Sequence, residues 1–153
     1  MVSEQLSEHF SREEFERDGV MPDEAVDSYR SLCLDVLERV RGYVGKPIEI
    51  TSGYRSAAAN AAAGGVKNSQ HMATDNFCAA DFRVAGETNL RPLFDWIRAG
   101  SGLPFDQVIL EHGASGDVIH ASWAKAYRRR EALEGATHNQ SAYAIWPVEN
   151  TSA

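Results

Sequence analysis

Apolar residues recur at steps of three and four from Val26 to Val44, and this spacing predicts one long helix with a single apolar face. Ser11 and Glu14 have the spacing of a capping box, which predicts a short helix ahead of it. After the long helix, Ile48 to Ser52 alternates apolar and polar residues, as a half-buried strand does. The first third of the chain therefore predicts two helices followed by a strand.

The rest of the pattern predicts further helices and strands. The next expected elements are a helix from Ser56 to Ala63 closed by Gly64 and Gly65, a strand from Ala79 to Val84, and a helix from Asn89 to Ala99. A hairpin of Gln107 to Glu111 with Val118 to Trp123 follows. The chain then has a charged stretch that permits a helix, from Ala124 to about Thr137, and an edge strand from Ala142 to Trp146. This order predicts an α+β fold in which a small antiparallel sheet packs against helices.

Length and composition narrow the classes of protein that fit. A chain of 153 residues, 43% of them hydrophobic, predicts a single domain over 1–153. Two cysteines, Cys33 and Cys78, are too few for a disulfide framework and are interpreted as free thiols. The net charge of −7 argues against a nucleic-acid partner, and the basic run at 128–130, followed by Glu131 and Glu134, is interpreted as a solvated helix face.

The chain begins without the basic and apolar regions of a secretory signal peptide, and no apolar run approaches the ~20 residues that cross a bilayer. These features predict a protein made in the cytoplasm without membrane insertion. We also expect it to be a monomer. Action on a cell wall then requires another release route, such as phage lysis.

Three residues are the strongest candidates for chemistry. His71 follows a glycine-rich turn, and Asp81 lies ten residues later in an apolar strand, where a carboxylate is costly unless a cation partners it. His120 shares one face of its strand with Val118 and Ser122. Two imidazoles and one carboxylate suit zinc, and three ligands leave a fourth position for water. Three independent structural residues are the alternative at this point.

Four short motifs follow one another along the chain: S-G-Y-R-S at 52–56, N-S-Q-H at 68–71, A-A-D-F at 79–82 and D-V-I-H-A-S at 117–122. In this order they resemble the successive motifs of the M15 family of zinc DD-peptidases. The resemblance extends from Leu6 to Trp123, because L-S-E-H-F at 6–10 is similar to the opening of single-domain members. The family includes D-Ala-D-Ala carboxypeptidases, VanX-like dipeptidases and phage endolysins that cut L-Ala-D-Glu bonds, and its fold resembles that of Hedgehog signalling domains.

The resemblance implies a role for each matching residue. His71, Asp81 and His120 match the Zn²⁺ ligands. Arg55 matches the arginine that steadies the substrate carbonyl, and Asp117 matches the general base. In the implied mechanism, zinc lowers the pKa of its bound water toward ~7, Asp117 takes the proton, and Arg55 stabilises the oxyanion.

The position of Asp117 imposes a geometric condition. Residues three apart in a strand face opposite sides, so Asp117 must lie in a turn before the strand that carries His120. A turn aspartate that caps its own backbone is the structural alternative, and Glu111 is the reserve base. Ser69 and Ser122 are expected to hydrogen-bond the ligands or the substrate, with satisfaction of backbone groups as the alternative.

The chain departs from the family at its first zinc motif. That motif usually reads S-x-H-x-x-G-x-A-x-D, whereas ten residues separate His71 from Asp81 here. An insertion within Met72 to Cys78 explains the difference, and it creates a competing ligand, Asp75. His112, which follows a strand at a turn, is interpreted as a surface histidine, with a place in the cleft as the alternative.

The implied activity is zinc-dependent hydrolysis of a peptide bond in peptidoglycan stem peptides. A single domain without a signal peptide resembles phage endolysins more than exported carboxypeptidases, which favours an endopeptidase. The alternative is a catalytically inactive metal-binding module of the same fold, with an adhesion or structural role such as a phage particle component. The presence of Asp117 and Arg55 beside the ligands argues against that alternative.

Overall fold

The computed structural model describes residues 4–62, 69–126, 128–136 and 143–149. Its helical elements are a short 3-10 helix at Arg12–Phe15, α1 at Asp23–Leu32, a π-helical turn at Cys33–Leu37, α2 at Glu38–Val44, α3 at Ala57–Ala62 and α4 at Arg91–Ala99. Its strands are β1 at Ile48–Ser52, β2 at Phe77–Val84, β3 at Gln107–Gly113, β4 at Gly116–Ala124, β5 at Glu131–Ala136 and β6 at Ala144–Trp146. None of these helices combines the length and the apolar character that a membrane span requires.

The predicted long helix is confirmed, because α1, the π-helical turn and α2 follow one another without a break. Its apolar face is buried, with Tyr29, Val36 and Val40 fully shielded from solvent. Gly45 ends the helix in the left-handed region at φ 65°, which glycine adopts without a Cβ clash. The Tyr29 hydroxyl donates to the carbonyl of Ala79 at 2.8 Å, which ties the helix to β2.

The six strands form one sheet in the order β1-β2-β4-β3-β5-β6, and the α+β prediction is confirmed. Strands β3 and β4 pair as the predicted hairpin. The sheet is mostly antiparallel, as predicted, and β5 differs because it runs parallel to β3. The predicted glycine closure of α3 and Ala142, the first residue of the predicted edge strand, lie outside the described residues. Tyr143 is described and precedes that strand, which begins at Ala144.

The helix-permissive stretch after Ala124 contains β5 instead. Asp106, just before β3, accepts hydrogen bonds from the backbone N–H of Arg129 at 2.7 Å and from its guanidinium, also at 2.7 Å. The Glu131 N–H then donates to the Asp106 carbonyl at 3.0 Å. These contacts fix the chain beside the free edge of β3, so tertiary pairing overrides local helix propensity. The basic run is therefore not a solvated helix face.

The two faces of the central strands have different contents. Phe82 of β2 lies opposite Ile119 of β4, and both are fully buried in the core that the helices cover. The next pair in the same register is Asp81 and His120. Because side chains alternate along a strand, this pair projects from the other face. The sheet therefore separates an apolar core from a polar site.

Candidate metal centre

The structure brings the three predicted ligands together. Asp81 and His120 face each other across β2 and β4, and His71 reaches them from the segment before β2. One ligand atom of each residue lies within 4.8 Å of the other two. Among the described residues, this is the one group of three histidine, cysteine, aspartate or glutamate side chains with that property. The ring centroids of His71 and His120 are 5.1 Å apart.

The orientation of His71 is set by the loop after β1. Its Nδ1 lies 2.7 Å from the carbonyl oxygen of Gly53, so this nitrogen carries the proton and donates it to the carbonyl. Nε2, the other ring nitrogen, points to the cluster and lies 3.3 Å from Oδ1 of Asp81. A Cβ at Gly53 would lie 2.6 Å from the Phe15 backbone, so only glycine allows this close approach. Such an outer hydrogen bond is what orients a metal-binding histidine.

Asp81 is held in its ionised state. Its side chain is 13% exposed, and its Oδ1 lies 3.0 Å from Nδ1 of His120. Burial alone raises the pKa of Asp81, but the neighbouring imidazoles of His71 and His120 more than offset this and lower the pKa below its usual range. A metal ligand must be deprotonated, so this environment keeps the carboxylate ready for a cation.

Arg55 lies against the same carboxylate. Its Nη2 is 3.5 Å from Oδ2 of Asp81, and its Nε donates to Oγ of Ser52 at 3.1 Å. Ser52 in turn donates to Asp18 at 2.8 Å, and the Arg55 backbone N–H donates to the His71 carbonyl at 2.7 Å. Among the described residues, Nη1 of Arg55 has no hydrogen-bond partner. The guanidinium is thus fixed at the edge of the cluster with one amino group available.

These side chains fit a zinc ion. The donor set has two imidazoles and one carboxylate, which is a common three-ligand set for catalytic zinc. One histidine has its outer nitrogen bonded to a carbonyl, and the carboxylate is ionised. Metal ligands bind in their deprotonated form, so two neutral imidazoles and one carboxylate would offer the ion a charge of about −1, which a divalent cation compensates. His71, Asp81 and His120 would hold the ion.

Asp117 is not brought to the cluster. The expectation that it lies in the turn before the strand is wrong, because it is the second residue of β4 and pairs with His112 of β3. Its side chain is directed away from that of His120, since the two residues are three positions apart on one strand. Its Oδ2 accepts the Leu90 N–H at 2.9 Å and its Oδ1 lies 2.7 Å from Nδ1 of His112. These contacts place the Asp117 side chain beside the start of α4, on the face of the sheet that the helices cover, which we call the helical face.

Glu111, the reserve base, lies on the face of the cluster. It pairs with Val118, which is two residues from His120 on the same strand and therefore shares its face. Glu111 is half-buried, and its Oε2 accepts a hydrogen bond from the Tyr143 hydroxyl at 2.7 Å. The sequence alone could not show that Glu111 shares a face with His120, because this depends on the register of the β3–β4 hairpin.

The two serines have different positions. Oγ of Ser69 accepts the His71 N–H at 3.2 Å, so Ser69 supports the turn that carries the ligand. Ser122 is fully buried, donates to Asp106 at 3.2 Å and accepts the Gln107 N–H at 3.0 Å. The expectation that Ser122 contacts substrate is not met, because its hydroxyl is enclosed where β3 and β4 meet the Asp106 carboxylate.

The inserted segment before β2 forms a turn against α1. The Thr74 N–H donates to the Phe77 carbonyl at 3.0 Å, and the Ser28 hydroxyl donates to the Thr74 carbonyl. Asp75 is exposed at this turn and is not part of the cluster, so the structure selects Asp81 over its competitor. The last two residues of the stretch interpreted as an insertion, Phe77 and Cys78, already belong to β2, where Phe77 pairs with Ala124.

Comparison with known families agrees with this geometry. The model of the family Peptidase M15 matches residues 8–113, which is more than half of the chain. The protein therefore belongs to the M15 peptidases. The matched range contains Arg55, His71, Asp81 and Glu111, and it ends before Asp117 and His120. A search of curated proteins finds no match.

Proposed function

We propose that the protein is a zinc-dependent hydrolase that cuts a peptide bond in peptidoglycan stem peptides. The observation that carries the proposal is the cluster of His71, Asp81 and His120, whose ligand atoms lie within 4.8 Å of one another beside Arg55. Membership of the Peptidase M15 family supports a peptide as the substrate. Zinc in such a site acts as a Lewis acid on the scissile carbonyl and lowers the pKa of a bound water.

Glu111 is the general base in this proposal. It lies on the same sheet face as His120 and presents a carboxylate with Oε1 unpaired among the described residues. Its neighbour Val118 is two strand residues from His120, a distance of roughly 7 Å along the strand. A base must lie within hydrogen-bond reach of the proton it takes, directly or through one water. Glu111 takes the proton of the attacking water and returns it to the leaving amine.

Arg55 stabilises the charge that develops on the carbonyl oxygen. Its Nε and Nη2 are held by Ser52 and Asp81, which leaves Nη1 to donate a hydrogen bond to the oxyanion. A fixed donor of this kind favours the transition state more than the ground state because charge builds up only during attack. The partly buried side chain, 12% exposed, strengthens that interaction relative to one in open water.

The test combines metal analysis with product analysis. The purified full chain is expected to contain one zinc per chain and to cleave purified muropeptides, with the products identified by mass spectrometry. Loss of a terminal D-Ala identifies a carboxypeptidase, and release of the stem peptide at L-Ala-D-Glu identifies an endopeptidase. The control is His120→Ala, which removes one ligand. Zinc at one per chain without cleavage of any stem peptide would instead support the inactive metal-binding module.

A further inference from the structure

Tyr143 lies next to the edge strand β6, and its side chain contacts Glu111 of β3. It immediately precedes β6, the edge strand, and its hydroxyl donates to Oε2 of Glu111 at 2.7 Å. No motif surrounds Tyr143 in the sequence, and the family match ends before it. The contact joins the last described strand of the chain to the sheet face that carries Asp81 and His120.

A glycine makes room for the tyrosine ring. A Cβ built on Gly135 of β5 would lie 2.7 Å from Cε1 of Tyr143 and closer still to Cδ1. Gly135 pairs with Glu111 in the parallel register of β3 and β5. Its φ is not positive, so the backbone there does not require glycine. The absence of a side chain at Gly135 therefore serves the approach of Tyr143 to Glu111.

The surroundings of the hydroxyl favour a donor role. Burial raises the pKa of Tyr143, and the carboxylates of Glu111 and Asp81 raise it further. The phenol is thus protonated at neutral pH and donates its proton to Glu111. With Oε2 engaged in this way, the carboxylate has one oxygen fixed and Oε1 left unpaired among the described residues.

We propose that Tyr143 is a positioning residue for Glu111, holding that carboxylate in the orientation in which Oε1 faces the attacking water. The proposal rests on the function proposed above, in which Glu111 is the base. A hydrogen bond to the half-buried Glu111 carboxylate restricts the rotamers of that side chain. Catalytic activity falls steeply when a catalytic group is misplaced. Gly135 acts with Tyr143 because it allows the ring to lie over β5.

The first experiment tests the contact without using activity. Urea unfolding midpoints of the full chain are measured for wild type, Tyr143→Phe, Glu111→Ala and the double variant. A real hydrogen bond predicts that Tyr143→Phe lowers the midpoint in wild type but has a smaller effect in the Glu111→Ala background, which lacks the acceptor. Equal shifts in both backgrounds would overturn the proposal, whether or not the protein is a peptidase. Tyr43→Phe, which removes an exposed hydroxyl from α2, is the matched control.

The second experiment tests positioning in turnover. Tyr143→Phe should lower kcat on the muropeptide substrate by about 10- to 100-fold, with KM and zinc content near wild type. Gly135→Ala should reproduce this loss because its Cβ displaces the Tyr143 ring, whereas Gly42→Ala, with nothing within 4 Å of the new Cβ, should not. Wild-type kcat in Tyr143→Phe would overturn the proposal. An inactive wild type would refute the proposed function instead.

Discussion

Two clusters of histidine and carboxylate occupy opposite faces of the same hairpin. On one face, His71 and His120 flank the single carboxylate of Asp81. On the other face, His112 lies between two carboxylates, 2.7 Å from Asp117 and 2.6 Å from Glu134. The residue types are nearly the same, but the number of carboxylates per imidazole is reversed. That reversal decides what each cluster can bind.

The cluster on the helical face neutralises itself. Glu134 also receives Nη2 of Arg91 at 2.6 Å and the indole N–H of Trp146 at 2.9 Å. With His112 protonated, two negative charges meet two positive charges, so no further cation is needed. Around Asp81, two carboxylates, those of Asp81 and Asp18, lie within 4 Å of one guanidinium, that of Arg55. If His71 and His120 bind a metal as neutral ligands, one negative charge on this face is left for the cation to compensate. Similar side chains therefore form ion pairs among themselves on one face and a group that suits a metal ion on the other.

The largest expected effect separates the two histidines of the hairpin. His120→Ala should lose both the zinc and the peptidase activity, because only two ligands remain. His112→Ala should keep one zinc per chain and retain most activity, since its partners lie on the other face. Metal analysis and muropeptide turnover of the two purified variants check this. Loss of zinc in His112→Ala would mean that the two faces are not independent.

The next effect separates the two candidate bases. Glu111→Gln should keep zinc and lower turnover by about 10²-fold or more, the usual contribution of a positioned base. Asp117→Asn should keep near-wild-type turnover and instead lower the melting temperature, because it loses the charge that pairs with His112. Kinetics and thermal unfolding of both variants decide the point. Active Glu111→Gln beside inactive, zinc-loaded Asp117→Asn would restore Asp117 as the base.

A smaller effect on turnover is expected at Arg55, which lies beside the candidate metal ligand Asp81. Arg55→Lys keeps the charge but removes the planar fork that binds Ser52, Asp81 and the oxyanion together. The expected result is a fall in kcat of about 10- to 100-fold, with KM little changed, because the lost donor acts in the transition state. Steady-state kinetics test this. A changed KM at wild-type kcat would make Arg55 a ground-state binder.

The smallest effect is a pH dependence on the helical face. Hydrogen bonds to Glu134 and Asp117 raise the pKa of His112. Its contribution to the free energy of unfolding is therefore full below the unfolded-state pKa, about 6.5, and is lost as pH rises through the higher folded-state pKa. The ring is half-exposed, so solvent screening limits this to on the order of 0.5 kcal/mol. His112→Gln should lower the melting temperature more at pH 6 than at pH 9, and an equal loss at both would contradict it.

The sequence determined the parts of the fold that local pattern encodes. The apolar spacing from Val26 to Val44 matches the helical run, and the alternation at Ile48–Ser52 matches β1. Both signals are strong because one face of each element is buried in the core. The stretch that became β5 has no such signal, since its pairing with β3 depends on contacts from Arg129 and Glu131 to Asp106, distant in sequence.

The same division holds for the candidate site. Motif spacing in the sequence singled out His71, Asp81, His120 and Arg55, and these four side chains meet in the structure. Only the tertiary structure shows which of the two carboxylates, Glu111 or Asp117, lies on the same face of the sheet as Asp81 and His120. Alternation along β4 turns Asp117 toward α4, while the hairpin register places Glu111 on the metal face beside Tyr143. Strand register is a property of paired chains, so no single segment of sequence contains it.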